Sequence, residues 1–293
     1  MAELTPGDHE QTITVGTRER KYLVHVPKLA QPPAKWPVVV LFHGGGSNPK
    51  QMVEFTGMNA CADKHGFVVI YPAGTGIIQA ALTFNAGNCC GRALRENVDE
   101  VGFITAVLDQ LPKQLAVDED RVFATGLSNG GMMSYLMADK LSQLFAAVAP
   151  VGGPMGSETC APERPVPVIH FHGRDDDFVP YAGGIGRRSV SKTNFFSVEH
   201  SVLAWVQANG CEATPQVEEL PNKVEDGTRI TRHSYTKGRA GSEVVVYEIH
   251  GGGHTWPGHT SRFKALGKST QNIDVNEVIW AFFARHPRPS GKK

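Results

Sequence analysis

The sequence predicts an α/β protein with a mostly parallel central sheet and helices on both of its faces. Three observations carry that reading. Apolar runs at residues 37–42, 67–71, 121–125 and 166–171 are continuous rather than alternating, the pattern of inner parallel strands buried on both faces. Helical periodicity fills much of the chain between these runs, as the right-handed crossovers of a parallel sheet require. Glycine clusters close two strands, at His43-Gly44-Gly45-Gly46 and at Gly126-Leu127-Ser128-Asn129-Gly130-Gly131, where the backbone can approach a ligand closely.

Taken in order, residues 11–15 and 21–26 alternate apolar and polar side chains and read as an antiparallel hairpin turned at Gly16-Thr17. The strand over 37–42 follows, then a helix over 52–65 and a strand over 67–71 closed by Pro72. Residues 74–98 are irregular and rich in Gly and Asn. A helix over 99–115 places Val101, Ile104, Val107, Leu108 and Leu111 on one face. The strand over 121–125, a helix over 130–140 and strands over 146–151 and 166–171 continue the alternation. A helix over 198–209 precedes two β-rich runs, 229–235 and 243–250, with residues 223–227 as a hairpin tip or small insertion. An amphipathic helix over 273–285 ends at His286-Pro287. With no internal repeat and no Pro/Ser-rich linker, residues 1–293 read as one domain.

Composition excludes several classes. Lys+Arg and Asp+Glu both number 29, so the basic excess of a nucleic-acid binder is missing. The longest aliphatic runs fall far short of the roughly 20 residues that span a bilayer, and a membrane partner is not expected. Residues 1–5 show neither a basic n-region nor an apolar h-region. The five cysteines include no C-x-x-C pair, against zinc-ribbon and thioredoxin-type readings. Cys160 and Cys211 are the expected disulfide, Cys89-Cys90 are expected as two thiols, and Cys61 as a small buried residue on a helix.

The richest segment for chemistry is the G-x-S-x-G of residues 126–130, directly after a strand and directly before a helix. In that context Ser128 sits on a turn so tight that the residues two positions either side must lack bulk. The following helix N-terminus favours developing negative charge. A serine hydroxyl needs a base, and the base an orienting acid, in the chain order Ser, Asp or Glu, His. Asp175, Asp176 and Asp177 all lie on the loop after the strand ending near Phe171, and any of them meets the requirement. Candidate histidines lie in His250-Gly251-Gly252-Gly253-His254, a strand end followed by a loop without bulk. The His250-x3-His254 spacing suits a metal only on a helix, and three glycines argue against one, so no metal is expected. Of the remaining histidines, His25 alternates within a strand, His65 ends a helix and His286 precedes a proline. For the oxyanion hole, one donor is the amide of Asn129 and the other comes from the loop His43-Gly44-Gly45-Gly46.

LFHGGG, GLSNGG, HGRDDDFVPY and HGGGHTWPG, in this order, resemble the α/β-hydrolase esterases of the polyhydroxybutyrate depolymerase and feruloyl esterase family, over about residues 20–285. NCCG at 88–91 and NVDEVGF at 97–103 match as well. The resemblance implies the α/β-hydrolase fold. The family's H-G-x-x-D-x-x-V-P-Y pattern aligns with residues 172–181 and implies Asp176 as the acid. Its G-G-H-x-W-P-G pattern implies His254 as the base and Trp256 as an aromatic wall of the substrate site, and its oxyanion donor falls on Gly45. The implied activity is that of a serine carboxylic-ester hydrolase working through an acyl-enzyme on Ser128, without a cofactor. Its substrates would be small or polysaccharide-linked esters, hydroxycinnamoyl esters first, with polyhydroxybutyrate depolymerase or acetylxylan esterase as the alternative. Trp256 and, across from it, Phe84 in residues 73–91 would bound a shallow groove that favours flat or short acyl groups. Family members are mostly secreted, so export is expected, a leader being absent from this chain, with the cytoplasm as the alternative.

Overall fold

The computed structural model describes residues 3–260 and 263–289. One ten-stranded sheet takes in every described strand, in the order β1-β2-β4-β3-β5-β6-β7-β10-β9-β8. Strands β1 (Gly7–Val15) and β2 (Arg18–Val26) form the expected hairpin, and β2 pairs antiparallel with β4 (Val68–Pro72). From β4 the sheet runs parallel through β3 (Trp36–Phe42), β5 (Val117–Leu127), β6 (Ala147–Val151), β7 (Val168–Gly173) and β10 (Val244–His250). It closes antiparallel with β9 (Arg229–Tyr235) and β8 (Gln216–Glu219), whose connection contains residues 223–227.

Every residue of β3, β4, β6 and β7 is buried, as expected for strands covered on both faces. Side chains alternate between two cores. Val38 and Val40 face α4 (Glu100–Gln110), α5 (Asn129–Lys140) and α6 (Val198–Asn209), with Phe103, Met133 and Trp205 in that layer. Val39 and Leu41 face α1 (Pro49–Thr56), α2 (Met58–His65) and α7 (Val275–Ala284), where Phe123 and Phe283 stack at 4.5 Å. This period of two is the pleat of the strand.

The helices depart from the sequence expectation in three places, and β1 and β5 are longer than expected. The helix expected over 52–65 is two helices, because Gly57 takes φ 58°, a left-handed conformation that ends α1 and starts α2. The helix expected over 99–115 is capped by the Asp99 carboxylate and stops at Gln110, with Pro112 in a tighter 3₁₀ turn beyond it. Inside the irregular stretch lies the short helix α3 (Gly91–Arg95), and the stretch is tied down by Glu100. That buried carboxylate accepts from Arg20 at 2.7 Å and from the Asn85 amide at 3.3 Å.

The expected disulfide is corrected. Cys89 and Cys90 are the bonded pair, and Cys160 and Cys211 are free. Cys160 lines a surface cavity with Pro162 and Leu203, whereas Cys211 turns toward the carbonyl of Ser242 at 3.9 Å, just before β10.

Candidate active site

Ser128 stands between β5 and α5 with φ 59° and ψ −119°, an uncommon conformation for a residue with a side chain. Glycines make the turn possible. A Cβ on Gly126 or on Gly130 would strike the Phe42 carbonyl at the end of β3, and one on Gly153 would strike the carbonyl of Ser128 itself. The Ser128 amide donates to the Val151 carbonyl at 2.8 Å, which docks the turn on β6, and the serine remains partly exposed. The first amide to bond the Ser128 carbonyl is that of Met132, at 2.9 Å, so the amides of α5's first turn face outward from the helix end.

Burial separates the three aspartates. Asp175 is exposed, Asp177 pairs with Arg187 at 2.6 Å, and Asp176 is buried. One oxygen of Asp176 accepts from the amides of Phe178 and Val179, both at 2.8 Å, and the other lies 2.6 Å from His254 Nδ1. Burial alone raises a carboxyl pKa, but His254, His172 and the Val179 amide outweigh it and hold Asp176 below the ordinary carboxylate range. The ionised acid therefore accepts a hydrogen bond from Nδ1–H, the tautomer that leaves His254 Nε2 bare. Phe178 stacks on the imidazole at 5.3 Å, and a Cβ on Gly152 would lie 3.4 Å from Nδ1. Serine and histidine thus abut one short segment at the end of β6: Ser128 at Val151 and Gly153, His254 at Gly152. His250 points elsewhere, exposed and 3.1 Å from the Thr231 hydroxyl.

The loop after β3 completes the arrangement. His43 is fully buried, and its Nε2 accepts from the Gly74 amide at 3.0 Å. The proton is therefore on Nδ1, which donates to the Gly44 carbonyl at 2.8 Å. Burial pushes the His43 pKa down to about 4 and keeps the ring neutral. Gly45, the next residue, is exposed. A Cβ there would lie 3.7 Å from the Asn129 Cβ, and one on Gly44 would lie 3.6 Å from the Ser128 Cβ. Gly45 and Asn129 are therefore brought together beside the serine. The Asn129 side chain faces inward: it accepts from the Phe84 amide at 2.7 Å and donates to the carbonyls of Phe84 and Cys89 at 3.2 and 3.4 Å.

Two aromatic expectations are corrected. Trp256 is 0% exposed, packed in the core under α1 and α7, with its indole N–H donating to Asn276 Oδ1 at 2.8 Å. Phe84 is also 0% exposed, set against Phe42 and His43. Neither ring walls the substrate site. An indole two residues from a catalytic-type histidine satisfies its N–H and apolar area equally well in a core. The residues that sequence reasoning missed are Phe178, against the imidazole, and His43 as the lock on the glycine loop. The tight H-G-G-G spacing was the available signal for the second.

Among the described residues, Cys61, His65 and Glu277 bring one ligand atom each within 4.8 Å of the others on the α2–α7 side of the sheet. Glu277 is already engaged by Lys64 at 3.0 Å and His65 at 2.9 Å, and burial pushes the Cys61 thiol up to about 12, so the cluster reads as an ion-pair network. No described helix is long and apolar enough to cross a membrane.

A strained serine at the end of a central parallel strand, with a buried Asp–His pair and a glycine loop beside it, defines a serine ester hydrolase of the α/β-hydrolase fold. Residues 21–220 match the family model described as Esterase PHB depolymerase, and the chain belongs to that family. It is 31% identical over 285 residues to NocK of Nocardia uniformis subsp. tsuyamanensis, covering 92% of this chain and 80% of that protein. Feruloyl esterase C of Emericella nidulans is 29% identical over 220 residues, 72% of this chain and 71% of that one. The solved acetyl xylan esterase of Aspergillus awamori shares the fold, with a TM-score of 0.55 at 16% identity over 84% of this chain and 94% of that one.

Proposed function

We propose that the reaction proceeds through an acyl-enzyme on Ser128. Oγ attacks the ester carbonyl as His254 Nε2 takes its proton, and the resulting alkoxide is held by the amides of Gly45 and Asn129. Collapse expels the alcohol, which receives the proton back from His254. Water then repeats the sequence on the acyl group and frees the acid. Asp176 keeps the imidazole in one tautomer and balances the imidazolium that forms twice per cycle. The observation that carries this reading is the 2.6 Å bond from His254 Nδ1 to a buried carboxylate whose other oxygen is saturated by two amides.

Hydroxycinnamoyl esters, free or attached to polysaccharide, are the proposed substrates. The similarity to a feruloyl esterase over most of the chain supports this, and the burial of Trp256 and Phe84 removes the aromatic-wall argument that had pointed the same way. A polyhydroxybutyrate substrate is the second reading, favoured by the description of the matching family model. Secretion belongs to the same proposal, because polymer-linked esters are met outside the cell. The test is a panel of methyl ferulate, acetylated xylan, p-nitrophenyl acetate and hydroxybutyrate oligomers, run on the wild type and on Ser128→Ala. Methyl ferulate should give the highest kcat/KM and Ser128→Ala should be inert, with a fluorophosphonate labelling Ser128 alone. A higher kcat/KM on hydroxybutyrate oligomers would transfer the assignment to polyesters, and labelling at another serine would end the mechanism.

A further inference from the structure

Behind the acid, a line of buried polar groups runs from α5 through β7 to the turn that carries Asp176. The Tyr135 hydroxyl lies 3.0 Å from His170 Nδ1, and His170 Nε2 lies 3.1 Å from His172 Nδ1. His172 Nε2 lies 2.8 Å from the Val179 carbonyl and 3.5 Å from the Asp176 oxygen that receives His254. Tyr135, His170 and His172 are each no more than 1% exposed. Two imidazoles sealed in a core are costly unless each nitrogen finds a partner, and here each one does.

The partners fix the protons. A carbonyl only accepts, so the Val179 contact places a proton on His172 Nε2 and leaves Nδ1 bare. His172 Nδ1 then accepts from His170 Nε2–H, and the bare His170 Nδ1 accepts from the tyrosine hydroxyl. Every donor in the line points toward the acid. The arrangement requires both rings to be neutral, and burial, helped by the neighbouring His172, lowers the pKa of His170 well below its ordinary value, as burial also lowers that of His172.

We propose that His172, ordered by His170 and Tyr135, is a positioning residue that holds Asp176 in the conformation that receives His254. This rests on the assignment of Asp176 and His254 given above. Val179 is the lever: its carbonyl accepts from His172 while its N–H donates to Asp176 Oδ1, so the turn is pinned through the two peptide units that flank this residue. The His172 Nε2–H edge also faces Oδ2, the oxygen that must stay fixed when His254 becomes an imidazolium. Ground-state binding of the ester is not involved, so the effect belongs to kcat.

The test compares His172→Phe, which keeps a ring and removes both nitrogens, with His172→Gln, which restores an N–H donor, and with Tyr135→Phe, which removes the outermost donor. Steady-state kinetics on an ester the wild type turns over separate kcat from KM. Proton NMR reads the downfield resonance of the His254–Asp176 hydrogen bond. His172→Phe should lower kcat about ten- to a hundredfold with KM within about twofold, and displace or erase the resonance, through the loss of one buried donor and the unpaired Val179 carbonyl it leaves. His172→Gln should recover kcat to within about threefold of wild type. A folded His172→Phe with wild-type kcat and an unmoved resonance overturns the proposal, as does a His172→Gln as poor as the Phe variant, which would put the loss down to packing. Should His172→Phe not fold, Tyr135→Phe decides: a drop of about threefold or more in kcat with a displaced resonance supports the line, and neither change refutes it. Asp176→Asn is run beside them. If it retains full activity the triad assignment fails. If it is inactive while His172→Phe is normal, only the present proposal fails.

Discussion

Lowering the pH from 7 to 4.5 should unfold this protein's advantage at one identifiable residue. His43 is sealed in the core as a neutral ring, with a pKa of about 4 against 6.5 for the free side chain. Because the folded value is depressed, the unfolded chain takes up a proton first. Stability is fully present above about pH 6.5, declines as the pH falls toward about 4, and declines no further from this group below that. Integrating the difference in bound protons between pH 7 and 4.5 gives a loss of about 2 to 3 kcal/mol from His43 alone. His170 and His172, also depressed by burial, add to it with the same sign. Urea unfolding followed by circular dichroism at pH 7, 6, 5 and 4.5 measures the slope, and His43→Gln removes this titration while keeping a polar side chain. The wild type should lose about 2 to 3 kcal/mol more than His43→Gln across that range. Equal losses would refute the reasoning. A protonated His43 also sets two donors, Nε2–H and the Gly74 amide, against each other, so the glycine loop of the folded protein should open as the pH falls through about 4.

Three further outcomes follow from the site and its surroundings. Asp175→Asn and Asp177→Asn should keep kcat within about threefold of wild type, whereas Asp176→Asn should lower it by about four orders of magnitude, as loss of imidazole orientation does in other triads; steady-state kinetics on one ester ranks them. Trp256→Ala should cost about 3 to 5 kcal/mol of stability through its cavity, and move KM for methyl ferulate and for p-nitrophenyl acetate by the same factor; a selective rise for methyl ferulate would return the indole to the substrate site. Alkylation of the denatured, unreduced chain should mark Cys61, Cys160 and Cys211 and spare Cys89 and Cys90, which peptide mapping reads; a Cys160–Cys211 linkage would reverse the correction made above.

What the sequence made legible tracks how many physical constraints act on a residue at once. Strands buried on both faces, such as β3 and β7, have to be apolar throughout, and their runs stand out. Strand β8 is an exposed edge of four residues, Gln216–Glu219, with no face to bury, and nothing in its composition marks it. The break at Gly57 is hidden because Met52 and Met58, on either side of it, continue the apolar side of one core. In the site, Gly126 and Gly130 are dictated by backbone contact and were readable. Choosing Asp176 over its neighbours needed the family pattern, since the three differ in burial and in which amides they meet, not in chemistry. Trp256 failed for the converse reason: a residue type that suits both a core and a binding wall carries no information about which one it occupies.

The acid and base loops are joined through backbone before their side chains meet, and this makes Gly173 a sharper probe than the triad itself. Parallel pairing of β7 and β10 sets Gly173 opposite Ile249, so both strands end at the same level. Beyond it the Arg174 amide donates to the Ile249 carbonyl and the Asp175 amide to the Gly252 carbonyl, each at 2.9 Å. A Cβ on Gly173 would collide with the carbonyls of Gly252 and Gly253, two and one residues before His254. Its φ lies outside the left-handed range, so alanine meets no conformational penalty and the whole effect of Gly173→Ala is to push the two loops apart. The Asp176–His254 bond of 2.6 Å leaves little tolerance for that displacement, while the glycine loop and Ser128, on β3 and β5, are untouched. Gly173→Ala should therefore lower kcat by about tenfold or more at nearly constant KM, the mark of lost transition-state orientation rather than lost binding. Stopped-flow acylation with a p-nitrophenyl ester would read the same loss in the first turnover. A folded Gly173→Ala enzyme with unchanged acylation would mean that the loops can separate without disturbing the pair, and that the backbone stitching between β7 and β10 serves the sheet alone.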